Sequence, residues 1–115
     1  MTREPQNAAP ATYLGIDVGT SATKAVILAS DGTVVARSRV PHPAARGAGP
    51  GRADPSAWRA SITAAVRDLA PHTAVVAGVG MDTHCPTALL LDATGEPLVA
   101  GITWDHPDWP NPPRS

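Results

Sequence analysis

Two turn signals inside residues 13–40, Gly19-Thr20-Ser21 and Asp31-Gly32, each separate short runs of strand-forming residues. Runs this short, joined by turns this tight, leave the chain little choice but antiparallel pairing with its immediate neighbours. Tyr13-Leu14-Gly15-Ile16-Asp17 and Thr23-Lys24-Ala25-Val26-Ile27-Leu28 form the first hairpin. Asp31-Gly32 predicts a type I′ turn that returns the chain through Thr33-Val34-Val35-Ala36-Arg37-Ser38-Arg39-Val40 as a third strand of a meander.

Downstream the rhythm changes. Residues 41–54 are rich in Pro, Gly and Ala and carry Arg46 and Arg52, the composition of an irregular surface loop. Asp54 then stands where a helix N-cap belongs, with Pro55 at the first helical position. Trp58, Ile62, Ala65, Val66 and Leu69 recur at three- and four-residue steps, which predicts one apolar face, and Pro71 is expected to end the helix. The unbroken apolar run 73–80 predicts a buried central strand, reached through the helix as a crossover. Residues 88–92 and 98–104, around Thr94-Gly95-Glu96, predict an added β-hairpin. Residues 1–12 are expected to be a disordered leader and 108–115 a Pro-rich irregular tail, with the fold occupying 13–107 and the chain stopping mid-fold.

Composition narrows the function classes. With 115 residues, no Phe and abundant Ala, the chain makes at most one thin core or part of a larger one. A formal charge of −1 gives no electrostatic reason to expect nucleic acid or an anionic membrane as partner. The single cysteine, Cys85, cannot close an internal disulfide, and no apolar run approaches a signal-peptide core or a membrane span, so a cytoplasmic location is expected.

The first hairpin carries the clearest chemistry. An Asp at a strand end, followed by small residues in a turn, can aim a carboxylate at a hydrated magnesium ion while backbone amides face phosphate oxygens. Asp17 and Gly19-Thr20-Ser21 offer that arrangement, the hydroxyls of Thr20, Ser21 and Thr23 can add donors, and Lys24 can add positive charge. The same residue types also make an ordinary hairpin turn for local reasons, and spacing alone does not decide between the two. No P-loop follows a strand, and Gly47-Ala48-Gly49-Pro50-Gly51 contains Pro and precedes no helix, so neither common nucleotide fingerprint is present. Cys85 beside His84 lacks the companions of a zinc site, and adjacent residues rarely face each other as a Cys–His dyad does.

The run Gly15-Ile16-Asp17-Val18-Gly19-Thr20-Ser21-Ala22-Thr23-Lys24, followed by Asp31-Gly32, resembles the opening of the FGGY carbohydrate kinases, relatives of actin and Hsp70. Asp54-Pro55 with Trp58 is similar to that family's D-P-x-x-W helix start, and Val79 through Asp92 with Gly95, Leu98, Ile102 and Trp104 to its sugar-facing strand, loop and hairpin. The resemblance, of the xylulokinase, rhamnulokinase and fuculokinase kind, spans residues 13–107. It implies an α/β fold: a partial ribonuclease H-like (actin-like ATPase) domain, with a β-meander, a helix, a central strand and an added hairpin.

The resemblance further implies ATP-dependent phosphorylation of a sugar hydroxyl, with ATP and Mg²⁺ as cofactors and a sugar or polyol as substrate. Asp17, Gly19, Thr20, Ser21, Thr23 and Lys24 would then face the ATP phosphates, with Asp17 assisting Mg²⁺ through water. Asp82, Thr83, His84, Trp104, Asp105 and His106 would meet the sugar. Two departures stand out. Asp82-Thr83-His84 takes the place of the Gln-Met-His many members carry, closer in length to the deoxysugar kinases, and His106 and Asp108 fall where many members have Asp and Arg. By the resemblance the catalytic base and the adenosine-holding domain lie downstream, so this chain is expected to lack turnover by itself, and a homodimer is open for a full-length protein. The competing expectations are a non-catalytic actin-like module or remnant, and another actin-like ATPase of the chaperone type.

Overall fold

The computed structural model describes residues 9–43 and 51–107, so the expected tail at 108–115, most of the leader and the middle of the loop at 41–54 lie outside the described residues. Strands β1 (Thr12–Val18), β2 (Ala22–Ala29) and β3 (Val34–Pro41) form the expected antiparallel meander. A two-residue strand β4 (Arg52–Ala53) leads into helix α1 (Pro55–Arg67). A short 3-10 turn at His72–Val75 precedes strand β5 (Gly78–Thr83), and β6 (Gly101–Ile102) closes the described chain. The main sheet runs in the order β3-β2-β1-β5, with β5 parallel to β1 across the α1 crossover, while β4 and β6 pair separately.

Strand periodicity decides which residues meet the helix. Leu14, Ile16 and Val18 of β1 and Ala25 and Ile27 of β2 point to one face, where Ala65 and Leu69 pack on them and Trp58, Ile62 and Val66 close the edges. Ile27 and Leu69 are almost completely buried, each contributing about 1.5–3 kcal/mol. The small Ala25 and Ala65 let the helix lie close to the strands without bulky aromatics between them. Asp54 caps α1 as expected: its Oδ1 accepts a hydrogen bond from the Ser56 amide at 2.9 Å.

Three local expectations are corrected. The turn after β2 is not type I′, because that turn needs two positive-φ residues and only Gly32 (φ 93°) has one. Instead Gly32 N–H donates to Ala29 O and the Asp31 carboxylate accepts from Thr33 N–H, and a register irregularity between Ile27 and Leu28 absorbs the extra residue. Helix α1 ends at Arg67, before Pro71, in a tight turn where Leu69 N–H donates to Val66 O. The apolar run 73–80 is not one continuous strand: its first residues lie in the 3-10 turn, and the strand begins at Gly78. Pairing with β1 can begin only where β1 begins, at Ala77 N–H to Thr12 O and at Gly78 opposite Tyr13, so the strand starts late and continues to Thr83. Lying outside β1 at the sheet edge, it leaves Val79 and Met81 exposed.

The last hairpin is looser than its pattern suggests. Bridges join Ala88 to Ile102 and Leu91 to Pro97, around a turn in which the Asp92 carboxylate accepts from Thr94 N–H and Oγ1 and from Glu96 N–H. The continuous pairing of β6 goes to β4, inside the stretch expected to be wholly irregular. Gly51 makes this possible: it has φ 74°, its carbonyl accepts from Thr103 N–H, and an added Cβ would sit 2.1 Å from His106 Cα.

Candidate functional site

Parallel pairing brings the carboxyl ends of β1 and β5 side by side, so the turn after β1 and the loop after β5 emerge at one end of the sheet. The 19–21 turn is closed by Gly19 N–H donating to Ala22 O at 2.9 Å. A Cβ on Gly19 would come within 3.1 Å of that carbonyl, so close approach is what glycine provides here. Its φ is not positive, so the left-handed freedom of glycine is not used at this position. Thr20 and Ser21 are exposed at the tip.

On the sheet face away from α1, residues in register place Arg39, Lys24, Asp17 and Asp82 in one row across β3, β2, β1 and β5. They line an open groove of about 910 Å³ whose floor includes Gly15 and Val26. Asp17 and Asp82 are cross-strand neighbours, and hard carboxylate oxygens suit a magnesium ion. Among the described residues no group of three or more His, Cys, Asp or Glu could hold a metal ion. That donor set fits Mg²⁺ held through water by one or two carboxylates with phosphate oxygens completing its shell, and does not fit an all-protein cage.

Thr23 departs from the expected phosphate set. Lying between exposed Lys24 and buried Ala22, it falls on the α1 face of the strand, is wholly buried, and its Oγ1 is bonded to Ser61 Oγ at 2.8 Å. Its hydroxyl belongs to the core.

The other expected substrate residues divide. Asp82 opens into the groove beside Asp17, whereas Thr83, opposite Val18, falls on the helix side of the sheet. His84 is tied to the strand end by its N–H donating to Val18 O at 2.9 Å. Its ring meets Trp58 edge-on at 5.1 Å and bonds Thr87 Oγ1 at 2.6 Å. Burial holds the His84 imidazole below the ordinary histidine range, the neighbouring His42 adds to this, and Asp105 partly opposes it. Asp105 accepts a short hydrogen bond from Thr103 Oγ1, and His106 packs on Gly51. Trp104 links the two halves: its Nε1–H donates to Thr20 Oγ1 at 3.1 Å.

Sequence reasoning missed the group that supports the turn from beneath. His42, at the end of β3, bonds Ser61 Oγ through Nδ1 at 2.8 Å and the Gly19 carbonyl through Nε2 at 2.7 Å. Ser61 Oγ also bonds Thr23 Oγ1 and lies 3.0 Å from Trp58 O. A readable signal existed for Ser61, a polar residue on the apolar helix face three positions after Trp58. None existed for His42, whose role depends on β3 ending beside the turn.

Residues 12–108 match the N-terminal domain of the FGGY family of carbohydrate kinases. The chain is 34% identical over 102 residues to a xylulose kinase of Klebsiella pneumoniae, covering 81% of this chain and 20% of that protein. It is 30% identical over 93 residues to one from Streptomyces coelicolor, covering 80% of this chain and 19% of that protein. The crystal structure of xylulose kinase from Rhodospirillum rubrum superposes with a TM-score of 0.72 at 25% identity, over 82% of this chain and 20% of that one. The chain thus spans about a fifth of the length of the curated relatives it matches.

Proposed function

Since the chain belongs to the FGGY family of carbohydrate kinases and has the fold of their actin-like, ribonuclease H-like N-terminal domain, we propose that it forms the phosphate-holding and part of the sugar-holding wall of an ATP-dependent sugar kinase. The observation that carries this reading is the meeting of the 19–21 turn and the loop after β5 at one end of the sheet, with Trp104 bonded to Thr20 between them. Phosphoryl transfer is mainly positioning and charge stabilisation, so a surface that holds both reactants supplies much of what the reaction requires.

In this reading the amides and hydroxyls of Thr20 and Ser21 receive phosphate oxygens, with Gly19 allowing their approach. Lys24 adds positive charge along the groove, and Asp17, beside Asp82, orients water on the Mg²⁺ that would neutralise developing charge. Asp82, His84, Trp104, Asp105 and His106 form the sugar-facing side, with His84 acting as a neutral hydrogen-bonding ring. Thr23 is left out for the reason given above, and Thr83 is a peripheral member at most. A ketopentose such as xylulose is the first substrate to test, since two xylulose kinases are 30% and 34% identical to the matched part of this chain.

None of Asp82, Asp105 or Asp108 is assigned as the base. The chain matches only a fifth of its relatives' length, and in this reading the base belongs to the part of that length the chain does not match. Calorimetry of the 115-residue chain with MgATP and xylulose tests the proposal: binding of both, each strengthening the other, without ADP release, is the expected result. Absence of nucleotide binding, or equal binding by an Asp17→Ala, Thr20→Ala double variant, would refute it.

A further inference from the structure

One residue outside every expected site holds the turn from below. His42 reaches it twice: its backbone N–H donates to Ser21 O at 2.9 Å, and its Nε2 lies 2.7 Å from Gly19 O. A carbonyl oxygen can only accept, so Nε2 carries the hydrogen and Nδ1 is the atom facing Ser61. The ring is therefore a strut with one end in α1 and the other on the turn.

The consequence follows from peptide planarity. The bond between Gly19 and Thr20 is trans, so the Thr20 N–H points opposite to the Gly19 carbonyl. Drawing that carbonyl inward onto His42 turns the Thr20 N–H outward, toward the exposed tip where Thr20 and Ser21 stand. Released, the Gly19–Thr20 peptide gains freedom to rotate, since Gly19 has no Cβ to restrain it and the bonds that remain, Gly19 N–H to Ala22 O and His42 N–H to Ser21 O, do not hold the Gly19 carbonyl.

We propose that His42 is a positioning residue that sets the Thr20 amide for an anionic ligand by fixing the Gly19 carbonyl, with Ser61 anchoring the far side of its ring. The chemical class of that ligand, a phosphate group, rests on the function proposed above, whereas the fixing of the peptide does not.

The two ring nitrogens can be separated by isosteres. In His42→Gln the side-chain amide nitrogen takes the place of Nε2 and keeps the bond to Gly19. In His42→Asn the side-chain amide oxygen takes the place of the accepting Nδ1 and keeps only Ser61. On the 15N-labelled 115-residue chain, the ligand-free Thr20 and Gly19 amide shifts of the Gln variant should match wild type, and those of the Asn variant should move. MgATP should bind the Gln variant within about threefold of wild type and the Asn variant about tenfold more weakly, the change expected for losing one hydrogen bond to a fixed acceptor. Equal behaviour of the two variants in the ligand-free spectra, whether both keep or both lose the wild-type shifts, would overturn the assignment. Should the Asn variant fail to fold, the wild-type ring decides: an Nε2–H tautomer with a slowly exchanging proton supports the strut, and an Nδ1–H tautomer overturns it. If wild type binds no MgATP, the proposed function falls while the ligand-free comparison still judges His42.

Discussion

Replacing Thr23 with valine separates a core role from a ligand-binding one. The side chain is wholly buried and Val has nearly its shape, so the substitution removes one hydroxyl and opens no cavity. That hydroxyl bonds Ser61, which keeps His42 as its partner, so no buried polar atom is orphaned. The loss is one net hydrogen bond, about 1 kcal/mol, or about 4–8 °C in melting temperature for a domain of this size. Ser61→Ala is different in kind: Ser61 is where the bonds from Thr23 and His42 converge, and its removal leaves both without that partner in a largely buried place. That change should cost about 2–3 kcal/mol. Thermal melts by circular dichroism on both variants, alongside MgATP titration of Thr23→Val, make the test. The expected order is Ser61→Ala well below Thr23→Val in stability, with nucleotide affinity of Thr23→Val within about twofold of wild type. A tenfold loss of affinity in a Thr23→Val chain that melts normally would show that the hydroxyl serves the ligand after all.

Three further outcomes are expected. Gly51→Ala forces a Cβ at positive φ against the His106 backbone and should cost at least about 2 kcal/mol, with faster hydrogen exchange at the Thr103 amide that Gly51 O binds; unchanged exchange would count against the docking of that segment. Trp104→Phe removes the indole donor to Thr20, an exposed bond, so stability should change by less than about 1 kcal/mol while the mutual strengthening of sugar and nucleotide binding disappears in calorimetry. Because burial depresses the His84 pKa below 6.5, the fold disfavours its cation, so this contribution to stability is complete above that pH and is lost as pH falls through the folded value. Melting temperature followed from pH 8 to 5 should therefore drop more steeply for wild type than for His84→Gln, and parallel curves would contradict the placement of that ring.

Much of the fold was legible because local patterns and tertiary packing agree. Short strand-forming runs on either side of Gly19-Thr20-Ser21 marked β1 and β2, and Asp54-Pro55 with Trp58, Ile62 and Ala65 marked the helix and its buried face. Where the reading failed, a distant partner had overruled a local pattern. The run 73–80 looked like one continuous strand, but β1 offers pairing only from Tyr13 onward, so the strand begins at Gly78. Thr23 belonged by composition to a phosphate turn, yet the period of two along β2 carried its hydroxyl into the core.

The amino-acid order alone determined that residues 13–40 fold as a meander and that Gly19-Thr20-Ser21 forms its first turn, because such preferences are written in adjacent residues. It also carried the ordered motifs by which the family is known. The tertiary structure alone decided that Asp82 lies beside Asp17, that Trp104 reaches Thr20 and that His42 stands beneath Gly19. Those pairs lie tens of residues apart, and only the parallel return of β5, the closing of β6 on β4 and, for His42, the pairing of β3 with β2 bring them together, so no local periodicity could encode their contact.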